Sequence, residues 1–130
     1  RAHDVLHFVG LAEERYREVS TFSVGMRQRY KLAIALVHDP DLLLLDEPAA
    51  GLNREETEDL ARNLLDIKEE LGITQVLIEH ELRFVLDLAD RITVLDFGRP
   101  IASGPPDEIR SDPRVIDAYV GTGETAEAAP

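Results

Sequence analysis

Residues 41–48 read Asp-Leu-Leu-Leu-Leu-Asp-Glu-Pro. A strand with one face in water would alternate apolar and polar residues, so four consecutive leucines predict a short parallel strand buried on both faces. Asp46 and Glu47 follow at the point where Pro48 ends the strand. Ligands of open α/β sheets bind outside the carboxyl ends of the strands, so this pair is well placed for a metal ion and for activating a water. The simpler alternative is the acidic start of an ordinary surface loop.

Composition narrows the class of protein. The chain has 130 residues, which is the size of a single domain, and its first residue is Arg1, from which we expect a truncated N-terminus. It contains no cysteine, which excludes disulfides and thiolate metal sites. No apolar stretch approaches the roughly 20 residues of a membrane span, and no signal peptide is visible. The net charge of −12 argues against nucleic acid or an anionic membrane surface as the main partner.

A possible anion-binding turn precedes the leucine strand. Ser23-Val24-Gly25 begins a helix that is apolar nearly all round from Tyr30 to Val37, which predicts burial on most sides. The N–H groups at the start of such a helix can bind a phosphate. The alternative is that Ser23 is a plain N-cap of the helix.

A second strand follows the leucine strand after a helix. Asn53 and Glu56 form a capping pair at the start of that helix, and Gly72 closes it. The strand runs from Thr74 to Glu79, and His80 comes directly after it. His80 is therefore expected at the same sheet edge as the acidic pair, although a lone histidine is more often a structural residue.

The remaining pattern predicts a strand hairpin followed by two short helices. Ile92–Leu95 is a third strand, and residues 97–100 turn it back into Ile101–Ser103. Pro106 and Pro113 each stand in the first turn of a short helix.

Three of these segments, in this order, resemble the second half of an ABC-type nucleotide-binding subunit. They are Ser23–Arg29, Leu42–Pro48 and His80, which match a signature sequence, a Walker B strand and a switch histidine. The resemblance runs from about Leu6 to Gly121. It implies an α/β fold: the C-terminal part of a P-loop NTPase core with a mainly parallel sheet, plus part of the ABC helical subdomain, without the phosphate-loop half.

The resemblance also implies a division of the chain. Residues 1–121 would form a partial ABC ATPase domain. Within it, residues 1–40 belong to the helical subdomain and signature helix, residues 41–104 to the catalytic core, and residues 105–121 to C-terminal helices. Residues 122–130 lack large apolar side chains and are expected to be disordered.

Roles at the strand ends follow from the resemblance. Asp46 would hold Mg²⁺, Glu47 would be the general base that activates water, and His80 would contact the γ-phosphate of ATP. The signature residues would bind the γ-phosphate of ATP held by the second subunit of a dimer, and the D-loop residues would cross the dimer interface. The signature residues are Ser23, Val24, Gly25 and Met26, and the D-loop residues are Ala50, Gly51, Leu52 and Asn53.

The sequence departs from the family pattern in several places. Val24 and Met26 replace a glycine and the glutamine of the usual Leu-Ser-Gly-Gly-Gln, and Asn53 replaces the D-loop aspartate. No Gly-x-x-x-x-Gly-Lys-Ser/Thr occurs, and the two lysines, Lys31 and Lys68, follow no glycine. The chain alone is therefore predicted to have no ATPase activity, and ATP and Mg²⁺ are expected to bind only together with the missing Walker A half.

The function implied is ATP hydrolysis that energises a transporter. Residues 78–121 and the Ala49–Asn53 loop resemble the ATPases of branched-chain amino-acid importers, whereas Ser23–Arg29 resembles exporters of drugs or lipids. The partners implied are a second ATP-binding subunit, identical or different, transmembrane permeases and a substrate-binding protein, with a peripheral location on the cytoplasmic face of the membrane. As a truncated chain, it could instead be a non-hydrolysing interaction module. Missing sheet neighbours would leave an apolar face or edge of the leucine strand exposed, with marginal solubility.

Overall fold

The computed structural model describes residues 1–120, so the expected disordered tail lies outside the described residues. The chain divides into two compact units, Arg1–His80 and the part that begins at Glu81. The first unit contains α1 (Ala2–Phe8), a 3₁₀ turn (Val19–Thr21), α2 (Val24–Val37), β1 (Leu42–Asp46), α3 (Arg54–Leu71) and β2 (Thr74–Ile78). The second unit contains α4 (Leu82–Leu88), β3 (Ile92–Asp96), β4 (Arg99–Gly104), α5 (Pro106–Ser111) and α6 (Pro113–Val120).

The first unit is built on a β1–α3–β2 crossover. The two strands pair in parallel, with Leu42 opposite Thr74 and Asp46 opposite Ile78, so both carboxyl ends meet at one edge. The helix that joins them starts and ends as the sequence predicts: Asn53 and Glu56 form a reciprocal capping box, and Gly72 takes a left-handed C-cap conformation. One face of α3 is buried, through Leu60, Leu64 and Ile67.

The prediction that the leucine strand is buried on both faces is wrong for this chain. Leu43 is buried, but Leu42 is 54% exposed and Leu44 is 69% exposed. The neighbouring strand shows the same alternation, with Val76 and Ile78 exposed. Gln75, the partner of Leu43 in β2, donates from its side chain to the Leu64 carbonyl of α3 at 2.8 Å, so α3 lies on the Leu43 face of the sheet. Among the described residues, no element buries the opposite face of this two-stranded sheet. The expected exposed apolar face is thereby confirmed.

Helix α2 is also less buried than its composition predicts. Leu32, Ala33 and Leu36 are buried on one face, whereas Lys31 and Ile34 are exposed. Apolar residues all round a helix predict burial only where neighbours exist on all sides. Helix α2 packs against α1 and α3.

The second unit is an antiparallel hairpin packed on short helices. β3 and β4 pair from Ile92–Gly104 to Asp96–Arg99, with an irregularity at Val94/Leu95. The predicted hairpin is present, but its turn is residues 97 and 98, shorter than the predicted residues 97–100, because Arg99 and Pro100 already pair as part of β4. One buried cluster unites the hairpin with the helices that follow it: Ile92, Val94, Ala102, Ile109 and Val115.

The α/β fold class is confirmed, with one qualification about the sheet. The expected parallel arrangement holds for β1–β2, while β3–β4 forms a separate antiparallel sheet. Within residues 1–120, every helix is too short or too polar to cross a lipid bilayer.

Candidate functional site

The ends of β1 and β2 bring together the acidic pair and the histidine. Asp46 is the last residue of β1 and pairs with Ile78, two positions before His80. The Nδ1 atom of His80 lies 3.4 Å from Oε1 of Glu47, and both side chains are more than half exposed. The predicted meeting of Glu47 and His80 at one sheet edge is therefore present, with both groups open to an incoming ligand.

The backbone of Glu47 is held in an unusual conformation. Its φ is +44°, a region that a residue with a side chain rarely adopts. The Glu47 N–H donates to the carbonyl of Ile78 at 2.8 Å, and the Glu47 carbonyl accepts from the Ala50 N–H at 3.1 Å. Such strain persists where surrounding bonds fix it, and it often marks a functional position. Here the bend sends the chain away from β1 directly after Asp46.

A third carboxylate, which was not predicted as a site residue from the sequence, is buried beside the ends of β1 and β2. The Glu79 side chain is 1% exposed, and its Oε1 accepts a hydrogen bond from the Ala49 N–H at 2.8 Å. Glu79 comes one residue after β2 and continues the alternation of the half-buried side chains Gln75 and Leu77. The sequence did contain a signal for this role: a glutamate stands where the alternation predicts an inward-facing side chain. A buried carboxylate needs a hydrogen-bond donor, so a structural contact could have been predicted. Glu79 thus anchors the start of the loop that follows Glu47.

We call residues Ser23–Met26 the serine turn. Ser23 is the N-cap of α2, and its Oγ accepts from the Met26 N–H at 3.1 Å. Gly25 is buried in the first turn of the helix. The N-cap role of Ser23 is therefore present, and it lies at the positive end of a 14-residue helix, where an anion is favoured.

The carboxylate of Glu56 already lies at the serine turn. Its Oε1 accepts from the Gly25 N–H and its Oε2 from the Asn53 N–H, each at 3.2 Å. The hydrogen bond from Asn53, with others from Ser23 and Gly25, holds the pKa of Glu56 below its ordinary value of 4.5. Glu56 was predicted as a helix cap, but its contact with Gly25, 31 positions away, was not predicted.

The small-residue loop, Ala49–Asn53, reaches from one group of residues to the other. Its Ala49 N–H is bound by Glu79, and a Cβ atom on Gly51 would lie 3.9 Å from the Val24 side chain. The predicted signature and D-loop residues are therefore neighbours within one chain. Among the described residues, no hydrogen bond or ion pair joins the serine turn to Glu47 or His80, so these form two separate groups.

Among the strand-end residues, Asp46 is the one predicted to bind a metal ion. Mg²⁺ prefers oxygen ligands and is commonly held by one or two carboxylates together with water and substrate phosphates. Asp46 offers an exposed carboxylate for that role. The described part of the chain contains no group of three or more His, Asp or Glu side chains arranged around a metal position.

Comparison with known proteins agrees with this fold and this order of segments. A family model described as "ABC transporter" matches residues 1–50, and one described as "Branched-chain amino acid ATP-binding cassette transporter" matches residues 99–125. The crystal structure of the ADP conformation of MJ1267, an ATP-binding cassette of an ABC transporter, superposes with a TM-score of 0.83 and 31% identity. That match covers 92% of this chain and 48% of MJ1267. The chain belongs to the family of ABC transporter ATP-binding domains.

Within this family, the chain is similar to ATP-binding proteins of branched-chain amino-acid transport. It is 41% identical over 121 residues to LivG of Salmonella typhimurium, covering 93% of this chain and 48% of LivG. It is 40% identical over 116 residues to BraF of Pseudomonas aeruginosa, covering 89% of this chain and 46% of BraF. Both are named as high-affinity branched-chain amino acid transport ATP-binding proteins. The chain spans about half the length of these relatives.

Proposed function

We propose that this chain is part of an ATP-hydrolysing subunit that energises an ABC transporter importing branched-chain amino acids. The observation that carries the proposal is the meeting of Glu47 and His80 at the edge where β1 ends, directly after Asp46. A base, a metal-binding carboxylate and a group able to donate to phosphate are what phosphoryl transfer to water requires.

Each strand-end residue has a distinct task in this proposal. Asp46 would hold Mg²⁺, which would arrive with the phosphates of ATP. Glu47 would orient and deprotonate the attacking water. Its left-handed backbone conformation sets the direction in which its side chain leaves the chain. His80 would contact the γ-phosphate, and its 3.4 Å approach to Glu47 would let it report the state of that edge.

The serine turn and the small-residue loop would act across a dimer. The serine turn, through Ser23, Val24, Gly25 and Met26, would bind the γ-phosphate of ATP held by a second ATP-binding subunit. The loop residues Ala50, Gly51, Leu52 and Asn53 would lie at the interface between the subunits. The nearness of Val24 to Gly51, at which an added Cβ atom would lie 3.9 Å from the Val24 side chain, supports a shared surface for these two segments.

Substrate and partners follow from the relatives rather than from the site. The names of LivG and BraF favour branched-chain amino acids as cargo. Permease subunits and a substrate-binding protein would then be partners, and the subunit would lie peripherally on the cytoplasmic face of the membrane. Export of drugs or lipids is the alternative suggested by the Ser23–Arg29 sequence.

As an isolated chain, the protein would not hydrolyse ATP. Its sequence has no Gly-x-x-x-x-Gly-Lys-Ser/Thr loop to cradle the β- and γ-phosphates. A single carboxylate with water binds Mg²⁺ weakly without them. The alternative function for the isolated chain is that of a non-hydrolysing interaction module.

ATP turnover tests the proposal directly. The chain would be assayed alone and together with a separately supplied phosphate-loop half, with Glu47→Gln and Asp46→Asn as variants. We expect no turnover by the chain alone and turnover in the mixture. Loss of the general base should lower that turnover by about a hundredfold or more.

The matched control is Glu69→Gln, which makes the same chemical change on the exposed surface of α3. It should hydrolyse ATP like the parent chain. Turnover by the chain alone, or equal turnover in the Glu47→Gln mixture, would contradict the proposed roles.

A further inference from the structure

One carboxylate connects the two segments that the proposed function places at a dimer interface. Glu56 accepts from Gly25 in the serine turn and from Asn53 at the end of the small-residue loop, through different oxygen atoms. Its own N–H donates to the Asn53 side chain at 2.9 Å. The cap of α3 is therefore also a bridge to the start of α2.

The fit around Gly25 depends on the absence of a side chain there. A Cβ atom at position 25 would lie 2.8 Å from Cγ of Glu56 and 2.9 Å from Cδ and Oε1. Real Cβ atoms do not approach other atoms so closely, so any other residue would displace the Glu56 carboxylate. The glycine and the glutamate are thus matched to one another.

The bridge has a consequence for anion binding. Two donors of the serine turn are already engaged, because the Gly25 N–H donates to Glu56 and the Met26 N–H donates to Ser23. A negatively charged carboxylate occupies the place at the helix N-terminus that would favour a phosphate. A phosphate that approaches the Gly25 N–H would find that donor already bound to Glu56, and the negative charge of Glu56 would repel it.

We propose that Glu56 is an internal competitor for phosphate at the serine turn, so that phosphate binding at Gly25 requires Glu56 to release both Gly25 and Asn53. This inference rests on the proposed function, which supplies the phosphate-binding role of Gly25. Glu56 acts here as a positioning residue: its release would signal the arrival of phosphate to the small-residue loop.

Tripolyphosphate, which carries the phosphate chain of ATP without its nucleoside, is the probe for this competition. Its binding to the 130-residue chain, which is expected to be weak without a Walker A loop, would be followed at the backbone amide of Gly25 by NMR with tripolyphosphate in large excess. Glu56→Gln retains the size of the side chain and removes its charge. We expect the dissociation constant measured at Gly25 to fall several-fold relative to the control variant.

The control is Glu55→Gln, which removes the same charge from the same turn of α3 at an exposed position. Equal dissociation constants in the two variants would overturn the proposal, because a general charge effect would then explain the change. Absence of tripolyphosphate binding at Gly25 in both variants would also overturn it.

A measurement on the unaltered chain avoids dependence on how the variants fold. Release of Glu56 removes the acceptor of the Asn53 N–H, so amide hydrogen exchange at Asn53 should accelerate as tripolyphosphate shifts the Gly25 resonance. Unchanged exchange at Asn53, despite a shift at Gly25, would contradict the linked release. The ATP turnover assay fails or succeeds independently, so failure of the proposed function is distinguishable from failure of this inference.

Discussion

The parallel pair β1–β2 and the antiparallel pair β3–β4 are both two-stranded, yet they bury their side chains to different degrees. The hairpin β3–β4 places Val94 in a closed cluster with Ile109 from α5. The parallel pair leaves Leu44 and Val76 exposed on one face. A hairpin and the helices that follow it are close in sequence and can complete their own core. A parallel pair is joined by one crossover helix, which covers one face.

The largest expected effect concerns the closed cluster of the second unit. Ile109→Ala should lower the free energy of unfolding by about 2–5 kcal/mol, because Ile109 is 2% exposed and its loss leaves a cavity. Urea denaturation measures the change. Ile116→Ala is the matched control, since Ile116 is 41% exposed, and it should cost less than half as much. Equal losses would mean that α5 does not close the hairpin core.

The second prediction separates the two faces of β1. Leu43→Thr should cost roughly 2–3 kcal/mol, because it places a hydroxyl on the buried face. Leu44→Thr should change the unfolding free energy by no more than about 0.5 kcal/mol, since Leu44 already faces solvent.

Self-association gives the second readout for this pair. Leu44→Thr reduces an exposed apolar patch, so sedimentation velocity should show less association than in the unaltered chain. Equal destabilisation by both substitutions would show that Leu44 is buried in solution, and unchanged association in Leu44→Thr would show that the exposed face does not drive self-association.

A smaller, stabilising effect is expected at the tip of the hairpin. Phe97 is fully exposed with φ +43°, and Gly98 follows with φ +74°. Two residues with positive φ favour Asn-Gly in a hairpin turn. Phe97→Asn should therefore raise the unfolding free energy by roughly 0.5–1 kcal/mol in urea denaturation. Phe97→Ala removes the ring without favouring a positive φ, so it should not raise the unfolding free energy. An equal gain in Phe97→Ala would show that loss of the exposed ring, and not the backbone preference of Asn, causes the stabilisation.

The smallest effect is a pH dependence in each unit. Hydrogen bonds from Asn53, Ser23 and Gly25 lower the pKa of Glu56, and the Arg114 side chain lowers the pKa of Asp112. A carboxyl with a lowered pKa stabilises the fold above its unfolded pKa and loses that contribution as the pH falls through its folded pKa. Stability should therefore decrease on acidification below pH 4.5, the ordinary value for Glu56.

Unfolding free energies measured from neutral to acidic pH would isolate each contribution. Glu56→Gln should flatten the part of the profile that belongs to the first unit, and Asp112→Asn should flatten a part at lower pH, because its ordinary pKa is 3.8. A profile of unchanged slope in Glu56→Gln would show that its carboxylate is not engaged with Gly25 and Asn53.

Local sequence rules predicted the elements that depend on near neighbours. The Asn53–Glu56 capping box and the Gly72 C-cap each join residues a few positions apart. The meeting of Glu47 with His80 was also predictable, because residues that end parallel strands share an edge. The contacts of Glu79 with Ala49 and of Glu56 with Gly25 were not predicted. Each joins residues about 30 positions apart, and no periodic pattern encodes such a partner.

The sequence by itself determined the order of strands and helices, the helix caps and the chemistry placed at the strand ends, because these follow from side-chain periodicity and from bonds between close neighbours. The tertiary structure decided which face of the leucine strand is covered and which anion lies at the serine turn. Burial and long-range hydrogen bonds depend on what packs alongside a residue. An apolar pattern indicates that a face favours burial, but it does not indicate whether another element is present to cover that face.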